Sequence, residues 1–338
     1  VPPPYGVPPP YGGMPPLSPG LLKPGIIPLR PLSLSEIFNG AVGYIRANPK
    51  ATLGLTAVVA VVMQIVALIA KAGPLTAASE VGDGTADAGE STAWALSIAV
   101  SGLVTWLASI VLSGILTVIV GRAVFGSTIT IGEAWEKVRG RLLALIGLAA
   151  LEAAGVIVLI GLVVLVLAVV SSIGNGAAAT VFGVPLVLAA IATLVFLYTV
   201  LSFAPVLIVL ERLTVMRAIS RSFALVRNSF WRVLGIRALT TLVVLVIADA
   251  IAAPFTFIGQ LMASTHSTGP TLIGATVATI GAAIGQLVTT PFSAGVLVLL
   301  YTDRRIRAEA FDLVLQSGAA AGPFATASTD SLWLMRPL

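Results

Sequence analysis

The chain has 338 residues, 57% of them hydrophobic and only 10% charged, with a net charge of +5. That balance excludes an ordinary soluble domain and matches a protein whose long apolar stretches lie in a bilayer. The absence of cysteine and the single histidine exclude disulfides, thiol chemistry and a His/Cys metal centre, so no metal or cofactor is expected.

Residues 1–28 are rich in Pro and Gly, and Pro2-Pro3-Pro4-Tyr5-Gly6 recurs as Pro8-Pro9-Pro10-Tyr11-Gly12. Such a segment favours polyproline II and builds no core. It reads as a disordered cytoplasmic tail, with docking to a proline-binding partner as the second reading. Ser33-Leu34-Ser35-Glu36 is a capping box. Leu34, Ile37, Phe38, Ala41, Val42 and Ile45 then share one helical face, and Asn48-Pro49 ends that stretch.

Six apolar runs follow, at 51–70, 94–120, 142–170, 181–210, 233–258 and 271–301. Each reaches the roughly 20 residues that a helix needs to cross a bilayer. Runs this long and continuous are not barrel strands, and the first lies too far along the chain for a signal peptide. A second capping box, Thr130-Ile131-Gly132-Glu133, opens an amphipathic stretch before the third run, with Ile131, Ala134, Trp135, Val138 and Leu142 on its face. A third stretch begins near Thr214. Met216, Ile219, Phe223, Val226 and Phe230 lie on one face, and Arg217, Arg221, Asn228 and Arg232 on the other. Residues 303–315 read as a fourth surface helix. The predicted fold is an all-α polytopic bundle of six transmembrane helices, built as three hairpin units that each begin with a cytoplasmic amphipathic helix. Its limits are 29–315, between the tail at 1–28 and a C-terminal cytoplasmic tail at 316–338 that carries the apolar Leu332-Trp333-Leu334-Met335.

Basic residues alternate from side to side. Lys23, Arg30, Arg46 and Lys50 precede the first run, and Arg122, Lys137, Arg139 and Arg141 lie between the second and third. Arg212, Arg217, Arg221, Arg227 and Arg232 separate the fourth from the fifth, and Arg304, Arg305 and Arg307 follow the sixth. The intervening turns carry Lys71 against Glu80, Asp83, Asp87 and Glu90, then no charge, then only His266. Lys and Arg remain on the cytoplasmic side, so both termini are expected there, in a plasma (inner) membrane. Bases that flank spans argue for anionic lipid as partner and against nucleic acid. Arg217, Arg221, Arg227 and Arg232 are the candidate headgroup ligands, each base worth about 1 kcal/mol near the surface.

Ionisable groups at membrane depth are functional candidates because their burial is costly. Glu152 and Asp249 qualify. Gln64, Asp249 and Gln286 are placed by helical rise to share a layer, and Arg237 enters from the basic side, within reach of Glu152. Pro205, Pro254 and Pro291 free carbonyls that need new partners. Gly281-Ala282-Ala283-Ile284-Gly285 is a GxxxG pattern that permits close helix packing.

The segments Arg30-Pro31-Leu32-Ser33-Leu34-Ser35-Glu36-Ile37, Arg221–Gly235 (with Asn228-Ser229-Phe230-Trp231-Arg232 at its centre) and Tyr301-Thr302-Asp303-Arg304-Arg305-Ile306-Arg307 resemble an actinobacterial family labelled the membrane domain of glycerophosphoryl diester phosphodiesterase, over residues 30–315. The Pro/Gly/Tyr leader is similar to mycobacterial envelope proteins. The resemblance implies a membrane domain without chemistry. Catalysis in the name-giving enzymes belongs to a soluble barrel with a histidine pair, and this chain has neither. There is also no phosphate-binding Gly loop, and a serine nucleophile has no base at hand. The expectation is therefore a non-enzymatic accessory or scaffold subunit of a cell-envelope membrane complex, contacting lipids and other membrane proteins. The alternative is a transporter or lipid-handling protein with a polar cavity formed by Gln64, Glu152, Asp249 and Gln286.

Overall fold

The computed structural model describes residues 25–28, 30–80, 88–173, 176–264, 268–313 and 330–334. The Pro-Tyr repeats, the acidic 81–87 turn and His266 lie outside the described residues. What is described is all-α.

Both capping boxes form. Ser33 opens α1 (Leu34–Ala47) and Thr130 opens α4 (Ile131–Arg139). In each, the hydroxyl accepts the N–H of the third helical residue, and that residue, Glu36 or Glu133, accepts the N–H of the cap. These backbone donors and the nearby Arg30 hold the Glu36 carboxyl below its ordinary range. A π-helical turn at Lys50–Gly54 leads into α2 (Leu55–Glu80), which pairs with α3 (Ala88–Val124). The second hairpin is α5 (Leu142–Ile173) and α6 (Gly176–Leu201). The fourth apolar run then breaks at Ser202-Phe203, and α7 (Ala204–Leu210) continues it with Pro205 in its first turn. Proline lacks an N–H and suits the start of a helix, where that donor would have no partner. Near the break the Val200 carbonyl accepts the Ser222 hydroxyl of α8 (Val215–Arg227). The third hairpin is α9 (Phe230–Ala263) with α10 (Thr268–Glu309).

Six of these segments are long and apolar enough to cross a membrane. The α9–α10 pair packs most extensively, and α10 also touches α1, α2 and α3, which makes it the central helix. Small residues set the α9–α10 approach. A Cβ on Gly259 would lie 2.7 Å from the Gly274 carbonyl oxygen, and one on Gly281 would lie 2.6 Å from Phe255. The GxxxG pattern thus performs the close packing that the sequence suggests. Gly295 does the same on the other side of α10, where a Cβ would strike the Tyr44 ring. Tyr44 itself is fully buried and donates its hydroxyl to the Pro291 carbonyl.

Burial is concentrated at the basic end. The core comprises the last turns of α3 around Leu112–Val124, α7 apart from Pro205, the inner faces of α1, α4 and α8, and α10 from Val296 to Ile306. Toward the opposite end α9 and α10 stay in close contact at Gly259 and Gly274, while much apolar surface is left uncovered. No residue in the most apolar stretch of α5 is buried, and few are in α6 or α9. This is how a bilayer protein differs from a soluble one: lipid tails solvate leucine as well as another helix does, so apolar surface alone does not drive helices together.

Several expectations are corrected. Residues 25–28 are not free tail: Ile27 is fully buried, and the Ile26 N–H donates to the Ala123 carbonyl at the end of α3. Residues 303–309 form no separate surface helix but continue α10 unbroken to Glu309, where Ala310 turns the chain with φ 49°. The apolar Leu332-Trp333 is not loose: a 3-10 turn, Asp330–Trp333, buries the indole against Phe125, Tyr301 and Phe311. On α8 the face against the bundle is Ala218, Ser222, Leu225 and Val226, whereas Met216 and Phe223 point outward.

Candidate functional site

A dense polar site at the basic end is built by five residues of α10. Tyr301 and Arg305 share one helix face and meet Glu211, Asp303 and Arg307 share another and meet Leu32, and Arg304 lies between them. Asp303, with no side-chain exposure, accepts the Leu32 N–H at 2.8 Å and Arg307 Nε at 2.9 Å on one oxygen, and Arg232 Nη2 at 3.2 Å on the other. Arg232 and Arg307 both also donate to the Leu32 carbonyl. Arg304 donates to the Leu225 carbonyl near the end of α8. Arg305 reaches Glu211 at 3.5 Å, Glu309 at 3.0 Å and the Trp333 carbonyl at 3.1 Å, with its guanidinium 4.0 Å from the Phe311 ring centre.

Glu211 is the centre of the second half. Its carboxylate is wholly buried, and it takes Arg221 Nε at 2.6 Å, Arg221 Nη2 at 3.1 Å and the Tyr301 hydroxyl at 2.6 Å. Arg221 also meets Glu309 at 2.8 Å. Burial pulls the Arg221 guanidinium down in pKa, but the Glu211 contact outweighs it and the net direction is upward. Asp303 thus accepts charge-assisted hydrogen bonds from two guanidinium groups, and Glu211 accepts them from Arg221 with the Arg305 guanidinium a further 3.5 Å ion-pair contact. Arginine does not give up its proton, so the guanidinium groups of this set act as fixed cations. It ties α7, α8, α9, the segment before α1 and the C-terminal turn onto α10. Among the described residues, no three acidic, histidine or cysteine side chains gather to hold a metal.

Of the four headgroup candidates, Arg221 and Arg232 are thus engaged inward with buried acids, while Arg217 and Arg227 are exposed on α8. Sequence reasoning missed Glu211 and Asp303 as centres. Both follow directly on apolar runs and precede bases, the only signal available.

The intramembrane candidates do not assemble into one layer. Gln64 and Gln286 are half-buried with no hydrogen bond to each other, and Asp249 is exposed on the outer face of α9. Arg237 does not pair with Glu152. Its guanidinium lies 4.5 Å from the Tyr198 ring centre on α6, and its buried Nε has no hydrogen-bond partner. Glu152 instead borders a cavity of about 250 Å³ between α3, α5 and α7, with Trp106, Ser109, Ser113 and Pro205 on its walls.

Six membrane-capable helices, apolar surfaces left largely uncovered and a polar lock at one end define a multi-pass helical membrane protein. No protein-family profile matches the chain, and no curated protein or solved structure is similar to it.

Proposed function

We propose that the chain is a non-enzymatic accessory or scaffold subunit of a membrane complex, threaded with its basic end and both termini in the cytoplasm. The carrying observation is Asp249. It stands twelve residues beyond Arg237 on α9, about 18 Å further along the axis at the α-helical rise, and it faces away from the bundle. Acids in spans face a bundle interior or a partner because exposure to hydrocarbon is costly. A second membrane protein lying along α9 would supply that partner. At the basic end, the outward Met216, Phe223 and Trp231 beside Arg217 and Arg227 suit an interface with acyl chains and anionic headgroups. The sequence resemblance directs the proposal to an actinobacterial envelope.

The test is a photocrosslinking amino acid at Val246, which is exposed one turn before Asp249. In native membranes it is expected to give a discrete adduct with one membrane protein, lost in Asp249→Leu. Adducts to phospholipid alone would overturn the proposal.

A second reading, a transporter or lipid-handling protein, is favoured by the cavity beside Glu152. It is large enough for part of a lipid, and it carries one carboxyl among apolar walls. Glu152→Gln would then abolish lipid retention in mild detergent, measured by native mass spectrometry. Unchanged retention removes this reading.

A further inference from the structure

A separate hollow at the basic end is lined by cations from three elements: Arg122 in the last turn of α3, Lys137 on α4 and Arg212 in the turn after α7. Its volume is about 30 Å³. At about 10–15 Å³ per water-sized atom that admits two or three, which is room for the non-bridging oxygens of a phosphoryl group and too little for a bulky substrate. Gly121 is part of its lining. A Cβ there would lie 2.9 Å from Leu210 and 3.6 Å from Trp333 Nε1. The indole, whose N–H donates and does not accept, therefore borders the same space.

The backbone is shaped for this arrangement. Arg212 has φ 57°, a left-handed conformation that side-chain-bearing residues adopt at a cost. The turn sends Glu211 inward to Arg221 and Tyr301, and the next residue, Arg212, to the hollow. Gathered bases also repel. The Lys137 amine is pushed down to about 8 by burial, then by the charges of Arg122 and Arg212. Glu133, which faces both Arg122 and Lys137, offsets only part of this. Arg122 and Lys137 keep further contacts within the chain, so an incoming anion adds to their partners. Three cations and an indole donor around a hollow with room for two or three oxygens supply the charged and N–H donors that phosphoryl oxygens accept from.

We infer that Arg122, Lys137 and Arg212 form a binding site for a phosphoryl anion, supplied by a lipid headgroup or by soluble phosphate. The inference is independent of the accessory-subunit proposal, since it uses neither α9 nor a protein partner.

The experiment follows acetylation of Lys137 in the full chain, reconstituted in phosphatidylcholine nanodiscs, by peptide mass spectrometry at about pH 8, where an unliganded lysine of this kind is about half neutral. Inorganic phosphate is compared with chloride at equal ionic strength, and phosphatidylglycerol is introduced in a parallel arm. A bound anion that raises the lysine pKa by about one unit slows acetylation about fivefold. Protection by phosphate identifies a soluble ligand, and protection by phosphatidylglycerol in phosphate-free buffer identifies a headgroup; either supports the site. Arg212→Gln, at an exposed position, is expected to remove the protection and leave Lys50 labelling unchanged. Should that variant fail to fold, the comparison in the unaltered chain decides alone. Equal Lys137 labelling in chloride, phosphate and phosphatidylglycerol would overturn the inference, as would protection that survives Arg212→Gln.

Discussion

Replacing Glu211 by Gln tests whether the buried lock holds the basic end together. Glutamine keeps the size of the side chain and an oxygen for the Tyr301 hydroxyl, but it removes the charge that faces Arg221 at 2.6 Å and Arg305 at 3.5 Å. Removing one partner of a buried ion pair costs about 3–5 kcal/mol, because the other is left desolvated and uncompensated. Glu309 continues to serve both arginines, so the lower end applies. About 3 kcal/mol is roughly a hundredfold in the folded-to-unfolded ratio. Glu309→Gln removes a carboxylate whose side chain is 31% exposed, and solvent screening limits its cost to about 1 kcal/mol or less. Substituting both Glu211→Leu and Arg221→Met eliminates the charge pair together, which at buried sites is close to neutral; Arg305 retains Glu309. The assay is denaturant titration in mixed micelles, following helical circular dichroism and near-ultraviolet signals. Equal losses in Glu211→Gln and Glu309→Gln, or a double variant worse than Glu211→Gln, would refute the reasoning.

Trp333→Ala removes an indole packed against Phe125, Tyr301 and Phe311. It is expected to cost about 3 kcal/mol, the low end for a buried tryptophan, and to expose residues near Phe311 to limited proteolysis; an unchanged cleavage pattern would contradict the docking. Gly259→Ala places a Cβ 2.7 Å from the Gly274 carbonyl and should destabilise by about 1–3 kcal/mol. Gly235→Ala, on the same helix with open space around it, should be neutral or stabilising by up to about 1 kcal/mol; the same denaturant titration separates the two. Lys137 binds its proton less firmly in the folded chain, with a pKa of about 8, than in the unfolded one. Between about pH 8 and pH 10 the unfolded state therefore holds more protons, and this group makes stability rise with pH across that window. Lys137→Met should flatten the rise, as measured by titration at each pH.

Much of the architecture can be read along the chain. Apolar runs of bilayer length and the alternation of bases define the six spans and the end at which charge collects. The capping boxes at Ser33 and Thr130 are complete within four residues, so they need no tertiary information. Gly281 and Gly285 likewise announce a close helix contact, though not with which helix. The register of α8 was less legible. Its bundle face holds Ala218 and Ser222, which a hydrophobicity pattern passes over in favour of Met216 and Phe223. In a bilayer the outward face is apolar as well, so periodicity alone does not say which side is the core.

By itself, then, the order of residues determined the class, the number of spans and the location of charge, because each is a local property of length, hydropathy or sign. Only the tertiary structure decided which charges are free. Arg217 and Arg221 are four positions apart on one helix, yet the first is exposed and the second is bound to Glu211 and Glu309. The same holds for Trp333, which lies beyond the last span in sequence but is buried beside Tyr301. Pairing across such separations depends on how helices are set against one another at the basic end. That packing is a sum of contacts between distant segments, and no single segment encodes it.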